Sequence, residues 1–558
     1  MTTRRKSNHF LVQGSILAAT SLIVRIIGLL YRIPMNRIIG HEGVGIYSYA
    51  FAIYDIALIL SSYSLPLAVS RLVAARGAFK EHRNSYRIFL AAMIFAIAVG
   101  LAATLIVFFG ADFFALVVSN NPKVALPLKV LAPTILVFSI MGVFRGFFQG
   151  KNTMIPTAIS QILEQIVNAI VSIGASYLLM KNYSASINVA AYGAAGGTLG
   201  TFIGAFAGLL FLAFVFIIYK PHLNKQIRKD KSSNRESYKD IYYLLIITIF
   251  PIILSQTVYH ISGVVDNSMF GHIMEGKLIS IFDLEVLSHT ETGLYTSDDI
   301  STLIGIYSGE YRLLTNVPVA VASAIGAAAV TSISAAHAKG YVDDIKRKVH
   351  SSIKFNMIIA IPSAVGMGVL ASPILELLFR DSYVLSANFM RLGVVSIVFY
   401  ALSTVTTSIL QGIGRLKVPV INSAISLGIH IVLMYILLVY TNLSTYGLVI
   451  GNVTFALVVC ILNWFSLEKY LGYQQEIMKT FVIPLISSGF MGIATYLIYN
   501  GFHKWMGSIL IPLLIAIFVA IPFYFALLIF MKGVEEDELL QAPKGELIVR
   551  ILRKMRLL

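Results

Sequence analysis

Charged residues are scarce in this sequence. Asp, Glu, Lys and Arg make up 13% of the 558 residues, while 57% are hydrophobic. Soluble domains carry about 25% charged residues, so the chain has too little polar surface for a water-soluble particle. Because backbone groups in lipid must satisfy their own hydrogen bonds, the composition predicts an all-α integral membrane protein. Apolar runs comparable to the roughly 20 residues of a membrane span recur along the chain, for example at 90–109, 205–219, 241–254, 424–440 and 509–531.

Cysteine and the common catalytic motifs are also lacking. The one cysteine, Cys460, lies in an apolar stretch, which excludes a disulfide framework, a cysteine-based zinc site and a cysteine pair. The sequence has no Walker A, HExxH or GxSxG pattern. No acidic motif is concentrated at a span end, as a membrane enzyme acting on lipid-linked sugars would need. We therefore expect no enzyme, no metal and no cofactor apart from a coupling ion such as Na⁺ or H⁺.

Positive charges exceed negative charges by 16, and their distribution predicts the topology. Basic residues concentrate at 76–87, 220–240, 339–354 and the C-terminal tail, whereas 271–300 is acidic. Cytoplasmic loops are enriched in Lys and Arg, which accounts for the excess without nucleic acid. About fourteen spans place these basic segments and both termini on the cytoplasmic side of a bacterial plasma membrane. The predicted span centres are Ile23, Ile59, Ala98, Val137, Ser172, Leu209, Ser255, Ser323, Ala360, Ser396, Ile429, Leu457, Gly489 and Ile517.

An internal repeat divides the chain into two halves. The tetrapeptide GIYS begins at Gly45 and again at Gly305, and the pair Gln149-Gly150 recurs as Gln411-Gly412, with offsets of 260 and 262 residues. Six spans separate equivalent points, which is typical of two transporter bundles related by an axis along the membrane normal. The predicted domains are an N-terminal six-helix bundle (1–220), a basic cytoplasmic linker (221–240), a C-terminal six-helix bundle (241–472), two extra helices (473–533) and a cytoplasmic amphipathic tail (534–558).

Several arginines are predicted to lie inside spans, where a charged side chain is costly and commonly functional. Arg25 and Arg32 lie deep in the first span and close to one helical face, and Arg312 lies deep in the eighth span. For Arg71 and Arg145, a turn or two from their cytoplasmic ends, snorkelling to the interface is an equal alternative. For Arg37, nearer the outer end, snorkelling is at least as good an explanation. Arginine stays charged and binds phosphate through a bidentate fork, so the set predicts a cavity for an anionic, phosphate-bearing substrate.

A polar stripe marks the fifth span. Gln161, Glu164, Gln165, Asn168 and Ser172 follow helical spacing and share one face. Polar residues also hold helices together in membranes, but the length of the stripe and its carboxylate favour a cavity lining. We therefore select Gln161, Glu164 and Asn168 as candidate substrate-binding residues.

Two further carboxyl groups are candidates for ion or proton coupling. Asp266 lies in the seventh span and Glu310 in the eighth. An ionisable residue at membrane depth commonly marks an ion or proton pathway. Asp266 has the equal alternative of pairing with a cavity arginine.

The first two spans resemble a known family. The stretch from Arg25 to Pro34, followed by GVGIY at 43–47, is similar to the multidrug/oligosaccharidyl-lipid/polysaccharide (MOP) flippase superfamily, and most to its MurJ-like branch with SpoVB/YtgP-type polysaccharide biosynthesis proteins. The resemblance extends over essentially the whole chain. It implies a MATE-like pair of bundles around a cationic cavity, with a groove for a lipid tail at the last two spans.

The family motifs carry over with departures. Arg25 and Gly28 match the R-x-x-G pattern of the first span, but Arg32 follows Gly28 by four residues rather than three. Ile33 stands where the family has an aspartate. In the eighth span, Tyr311-Arg312-Leu313 ahead of a proline resembles the family motif with a shift of one residue.

The residues and the resemblance together predict a flippase for peptidoglycan biosynthesis that moves lipid II, the undecaprenyl-pyrophosphate-linked precursor, by alternating access. Two alternatives stay open. One is a flippase for another lipid-linked oligosaccharide, as in capsule or exopolysaccharide export. The other is a cation-coupled multidrug exporter, which needs acidic cavity residues and no extra helices. The expected partners are the lipid-linked saccharide, membrane lipids and cell-wall synthesis proteins.

Overall fold

The computed structural model is built from helices. It describes residues 2–230, 232, 235–287, 293–338, 340–380, 383–534 and 550, without the side chains of 2–18, 251–252, 255, 259, 327–328, 331, 335, 338 and 383. Within these residues the extended structure is one isolated antiparallel bridge, between Leu278 and Leu294. The predicted tail at 534–558 lies outside the described residues except for residues 534 and 550. The α-helices are α1 (Thr2–Leu58), α2 (Leu65–Ala78), α3 (His82–Phe109), α4 (Ala111–Ser119), α5 (Ala125–Leu131), α6 (Pro133–Gly150), α7 (Ile155–Asn182), α8 (Val189–Arg228), α9 (Tyr238–Met274), α10 (Ser297–Ile306), α11 (Leu313–Ala338), α12 (Val342–Val369), α13 (Ala371–Leu378), α14 (Tyr383–Gly393), α15 (Val395–Gly412), α16 (Lys417–Tyr440), α17 (Thr445–Leu471), α18 (Ile483–Met506) and α19 (Leu510–Phe530).

Eleven segments of the described chain are long and apolar enough to cross a membrane. The first of them, Ala19–Ala78, turns at Gly40, so it contains two of the predicted spans. The φ angle of Gly40 is 69°, a left-handed value that glycine adopts without steric cost. The predicted seventh and eighth spans lie in α9 and α11. The all-helical membrane fold is confirmed, and a count of about fourteen spans is consistent with it.

The chain forms two compact units, which the contacts between helices define. A π-helical turn, Tyr307–Arg312, connects α10 to α11, and the division between the units falls inside it. Turns of this kind occur frequently at functional sites. The domain boundaries drawn from the repeat stay a prediction. The first unit consists of Met1–Ser280, Leu287–Gly309 and Leu438–Tyr440, and the second of Ile281–Val286, Glu310–Leu437 and Thr441–Leu558.

Aromatic packing forms much of the core of the first unit. The ring of Phe89 on α3 lies 4.7 Å from that of Phe216 on α8 and 5.0 Å from that of Phe147 on α6. Leu65 and Val69 of α2 are fully buried in the same cluster. Because large rings bury the most apolar area, this cluster fixes the four helices around it.

Helices α7 and α8 approach each other through small residues. Gly196, Gly200 and Gly204 of α8 recur at every fourth position, and a Cβ atom on any of them would overlap with α7. The Ser172 and Ser176 hydroxyls of α7 donate hydrogen bonds to carbonyl oxygens of α8, both at 2.9 Å. Such close packing replaces the hydrophobic driving force that is absent between helices in lipid.

Substituting Gly200 with leucine is expected to separate α7 from α8. The added Cβ meets the Ser172 hydroxyl and the backbone of α7, and overpacking a close contact costs about 1–3 kcal/mol. Thermal unfolding of the purified protein should begin several degrees lower than in the wild type. Gly174→Leu on α7 is the matched control, since no atom lies within 4 Å of its added Cβ. Equal melting temperatures for the two variants would contradict the close packing of α7 against α8 at Gly200.

The second unit combines an apolar core with a buried polar network. Its core consists mainly of residues from α11, α12 and α15. The Asn422 amide donates to Asn463 Oδ1 at 2.9 Å, and the Asn463 amide donates to Thr406 Oγ1 at 3.0 Å. The two extra helices belong to this unit, where the Tyr524 hydroxyl of α19 donates to the Ile358 carbonyl at 3.0 Å.

The predicted linker at 221–240 is more structured than its polar composition indicates. Helix α8 continues to Arg228, because Leu223 is fully buried. Beyond it, Asp230 accepts a hydrogen bond from the Arg83 backbone N–H at 2.7 Å, and Glu236 pairs with Arg76 at 2.5 Å. Burial alone would raise the pKa of Asp230, but hydrogen bonds from Ser232 and the Arg83 backbone lower it to about 2. The linker is therefore held against the end of α2 and the start of α3.

Candidate substrate-binding site

Arg32 lies within the first unit, on α1 before the turn at Gly40. Its charge interacts electrostatically with Tyr31 and Tyr47. Its Nε is buried and has no hydrogen-bond partner in the described part of the chain. A half-buried guanidinium whose buried Nε has no partner among these residues is suited to an incoming anion, because a charged donor left without a partner is costly.

A carboxylate that the sequence analysis did not select lies near this arginine. Asp55, farther along α1, is half-buried, and its charge interacts with that of Arg32. Tyr54 is buried beside it and is affected by the charges of both Asp55 and Glu164. Asp55 interrupts an apolar run, so a charged residue at membrane depth is visible here in the sequence, as it is for the arginines.

Glu164 of the predicted stripe is already paired. Its Oε2 lies 2.8 Å from Nη2 of Arg145 on α6, and the two side chains are 13% and 10% exposed. The Arg145 Nε also donates to the Ser160 hydroxyl at 3.2 Å. The charges of this pair cancel, so Arg145 adds little to the positive potential of the site.

The other polar residues of the stripe differ in their contacts. Asn168 is buried and donates to the Tyr31 hydroxyl at 3.3 Å, which links α7 to the residue before Arg32. Ser172 donates to Asn168 Oδ1 at 2.8 Å. The Gln161 side-chain oxygen is buried without a hydrogen-bond partner among the described residues. Asn168 and Gln161 thus stay candidates, with Asn168 also holding Tyr31 in place.

The other predicted arginines of the first unit are exposed. Arg25 on α1 interacts electrostatically with Tyr63, at the end of the π-helical turn Ile59–Tyr63. Arg71 lies on the exposed side of α2. Neither forms a salt bridge within the described residues, unlike Arg145. Their charges are therefore available to an anionic ligand.

Arg312 lies in the second unit, in the π-helical turn before α11. It is half-buried, and its neighbour Tyr311 is fully buried and donates to the Gly393 carbonyl at 3.1 Å. Glu310 in the same turn is 1% exposed. Asp266 on α9 of the first unit is 3% exposed. The described residues contain no cluster of three His, Cys, Asp or Glu side chains able to hold a metal ion.

The fold is shared with a solved structure. A solved structure titled lipid II flippase MurJ, inward closed conformation, superposes with a TM-score of 0.62 at 16% sequence identity, covering 92% of this chain and 98% of that one. At this identity the similarity establishes the fold alone.

The chain belongs to the polysaccharide biosynthesis protein family, whose model matches residues 11–337. A MatE model matches residues 312–436. Two Bacillus subtilis (strain 168) proteins are similar over most of their length: lipid II flippase MurJ is 25% identical over 88% of each chain, and stage V sporulation protein B is 24% identical over 97% of this chain and 99% of its own. These relatives confirm the resemblance drawn from the first two spans and the expectation of a transporter rather than an enzyme.

Proposed function

We propose that the protein is a flippase that moves a polyprenyl-pyrophosphate-linked saccharide across the cytoplasmic membrane, with lipid II as its cargo. The observation that carries the proposal is the half-buried guanidinium of Arg32, whose buried Nε has no hydrogen-bond partner among the described residues. A diphosphate offers charged oxygens in the geometry that a guanidinium binds in a bidentate manner. Arg25 and Arg71 supply further positive charge in the same unit.

The remaining parts of the proposal follow from the residues around this centre. In alternating access, the saccharide crosses through a polar cavity while its polyprenyl tail stays in lipid. Large apolar side chains on α18 and α19, including Phe490, Tyr496 and Phe518, are exposed and suit such a tail. Asp266 and Glu310 are the proposed sites for a coupling proton or Na⁺, because buried carboxylates bind small cations.

Complementation tests the cargo. The protein is expressed in a bacterium depleted of its own lipid II flippase, and lipid II exposed on the outer face of the membrane is assayed. Restored growth together with restored exposure is the expected result. Arg37→Ala, which removes an exposed arginine from α1, serves as the charge-matched control and should complement like the wild type.

Failure to complement at wild-type protein level would exclude lipid II as the cargo. Reconstituted vesicles then separate the remaining alternatives. Translocation of another undecaprenyl-pyrophosphate-linked glycan would keep the mechanism and change the substrate. Export of cationic drugs, with no movement of any pyrophosphate lipid, would overturn the proposal.

A further inference from the structure

A nearly buried ion pair joins α6 to α7 in the first unit. The Arg145 and Glu164 side chains meet at 2.8 Å and are 10% and 13% exposed, and the Arg145 Nε also donates to the Ser160 hydroxyl at 3.2 Å. Removing two charges from water is costly, so a buried ion pair is weak evidence for a stabilising role. Both residues lie inside predicted spans, where ionisable side chains commonly mark a functional site.

The internal repeat shows that the fold does not need these two charges. The Gln-Gly pair that aligns α6 with α15 places Thr407 at the position of Arg145, 262 residues later. The prolines near the starts of α7 and α16, which are 263 residues apart, place Leu427 at the position of Glu164. In the second unit Thr407 instead accepts a hydrogen bond from the Asn463 amide at 3.1 Å. Because neutral groups hold the equivalent helices there, the charges in the first unit indicate a function beyond packing.

Glu164 borders the polar face on which we place the phosphate. Asn168, four residues later on the same face of α7, donates to the Tyr31 hydroxyl at 3.3 Å, and Tyr31 directly precedes Arg32. Three residues before Glu164, the Gln161 side-chain oxygen is buried with no hydrogen-bond partner among the described residues. A ligand held at this face can therefore reach the ion pair.

Arg145 is the ionisable group that faces Glu164 from α6, and α8 offers none. Helix α8 meets the Glu164 backbone through Gly204 and carries no ionisable side chain between Tyr192 and Tyr219. Helix α1 passes α7 at Gly28, where an added Cβ would lie 3.9 Å from Gln165 Oε1. The ionisable side chains of α1 in the site described above are Arg25, Tyr31, Arg32, Tyr54 and Asp55. Arginine keeps its charge and tyrosine stays neutral near pH 7, which leaves Asp55 as the other carboxyl group to control for.

We propose that Glu164 is a proton-binding site that controls Arg145, and that Arg145 is a further arginine for the phosphate of the substrate. A proton from water adds to the Glu164 carboxylate and gives a neutral acid, while the guanidinium keeps its charge and is released to bind a phosphate oxygen. The proton and the phosphate favour each other's binding, because each breaks the same ion pair. When the phosphate leaves, the acid returns its proton to water and the pair forms again. This inference rests on the proposed function and adds a residue to its binding site.

The experiment compares the wild type with Glu164→Gln at pH 8 and pH 6, by measuring binding of undecaprenyl pyrophosphate to the full-length proteins in lipid nanodiscs. Glutamine resembles the protonated acid, so the variant should bind about tenfold more tightly than the wild type at pH 8 and almost equally at pH 6. Comparing the two proteins at the same pH cancels the titration of the lipid phosphates and of Asp55. Asp112→Asn is the matched control, since this exposed carboxylate pairs with Lys129 at 2.8 Å, and it should follow the wild type at both pH values.

A second variant separates this role from helix packing. Arg145→Thr/Glu164→Leu introduces the residues of the second half at both positions. It should unfold at nearly the wild-type temperature and bind the lipid more weakly than Glu164→Gln at both pH values, because it lacks the arginine. A merely structural ion pair would instead lower the melting temperature of both variants and leave the ratio of the dissociation constants of the wild type and Glu164→Gln independent of pH.

The ratio of those two dissociation constants decides the inference. A ratio that falls towards one between pH 8 and pH 6 supports proton control of Arg145. A ratio that is the same at both pH values, or weaker binding by Glu164→Gln at pH 8, overturns this inference and leaves the proposed function intact. A wild-type protein that binds no pyrophosphate lipid at either pH overturns the proposed function itself, and this inference with it.

Discussion

Replacing Arg32 with alanine is expected to abolish complementation of a strain depleted of its lipid II flippase. The substitution removes the half-buried guanidinium that we propose binds the diphosphate. Truncating one partner of a buried, hydrogen-bonded charge pair costs about 2–5 kcal/mol, which corresponds to a loss in affinity of roughly thirtyfold or more. Arg32→Lys should also fail at normal protein level, because an ammonium cannot bind phosphate oxygens in a bidentate manner.

The Arg32→Ala variant leaves Asp55 without its positive neighbour, so a loss of folding must be separated from a loss of binding. The double variant Arg32→Ala/Asp55→Asn removes both charges and should reach the membrane at the wild-type level while remaining inactive. Arg37→Ala on the same helix should stay active. Growth at the wild-type rate by the Arg32→Ala cells would refute the role of this arginine.

Adding a side chain at Gly45 or Gly305 is expected to inactivate the protein as well. A Cβ on Gly45 would overlap with the carbonyl oxygen of Ser301, and a Cβ on Gly305 would overlap with that of His41. Both changes force α1 away from α10 within the first unit. Because a core contact between helix backbones cannot yield without moving a whole helix, we expect Gly45→Leu and Gly305→Leu each to lose complementation.

The separation of the two helices can be measured directly. Lys123 Nζ bridges Glu42 on α1 at 2.9 Å and Asp298 on α10 at 2.7 Å, so cysteines at positions 42 and 298 should be joined by a short cross-linker. The native Cys460 is buried and will not compete. Gly45→Leu should lower the cross-linking yield severalfold. Gly428→Leu, whose added Cβ has no atom within 4 Å, should leave it unchanged. An equal cross-linking yield with and without Gly45→Leu would show that α1 and α10 do not need the close approach at Gly45.

The same glycines show how far a repeat in the sequence can be interpreted. The two GIYS segments identify the halves of the chain, and Gly45 and Gly305 are equivalent positions. The structure adds that α1 and α10 meet at them. Ser301 lies 260 residues after His41, so these two residues are also equivalent in the repeat. The overlap of Gly45 with Ser301 and that of Gly305 with His41 are therefore equivalent contacts. The repeat carries no information on contact, because similarity between segments does not imply that they pack together.

The polar residues of the fifth span show what helical spacing can and cannot predict. Their spacing places Gln161, Glu164 and Asn168 on one face, and the structure keeps all three in the first unit, where Asn168 donates a hydrogen bond to the Tyr31 hydroxyl. Spacing cannot reveal the partner of Glu164, because Arg145 belongs to another helix. Asp55 was missed as the neighbour of Arg32 for a related reason. The turn at Gly40 lies between them, and it is set by backbone geometry that the apolar pattern does not report.

The sequence by itself determined that this is a helical, polytopic membrane protein with two similar halves, because low charge, long apolar runs and a repeat are properties of the chain alone. It also selected arginines whose depth is costly in lipid. Only the tertiary structure decided which charges are already neutralised and which stay available. Neutralisation depends on distances of a few ångströms between side chains on different helices, and local sequence does not determine those distances. Glu164 is held by Arg145, whereas the Arg32 Nε has no hydrogen-bond partner in the described part of the chain.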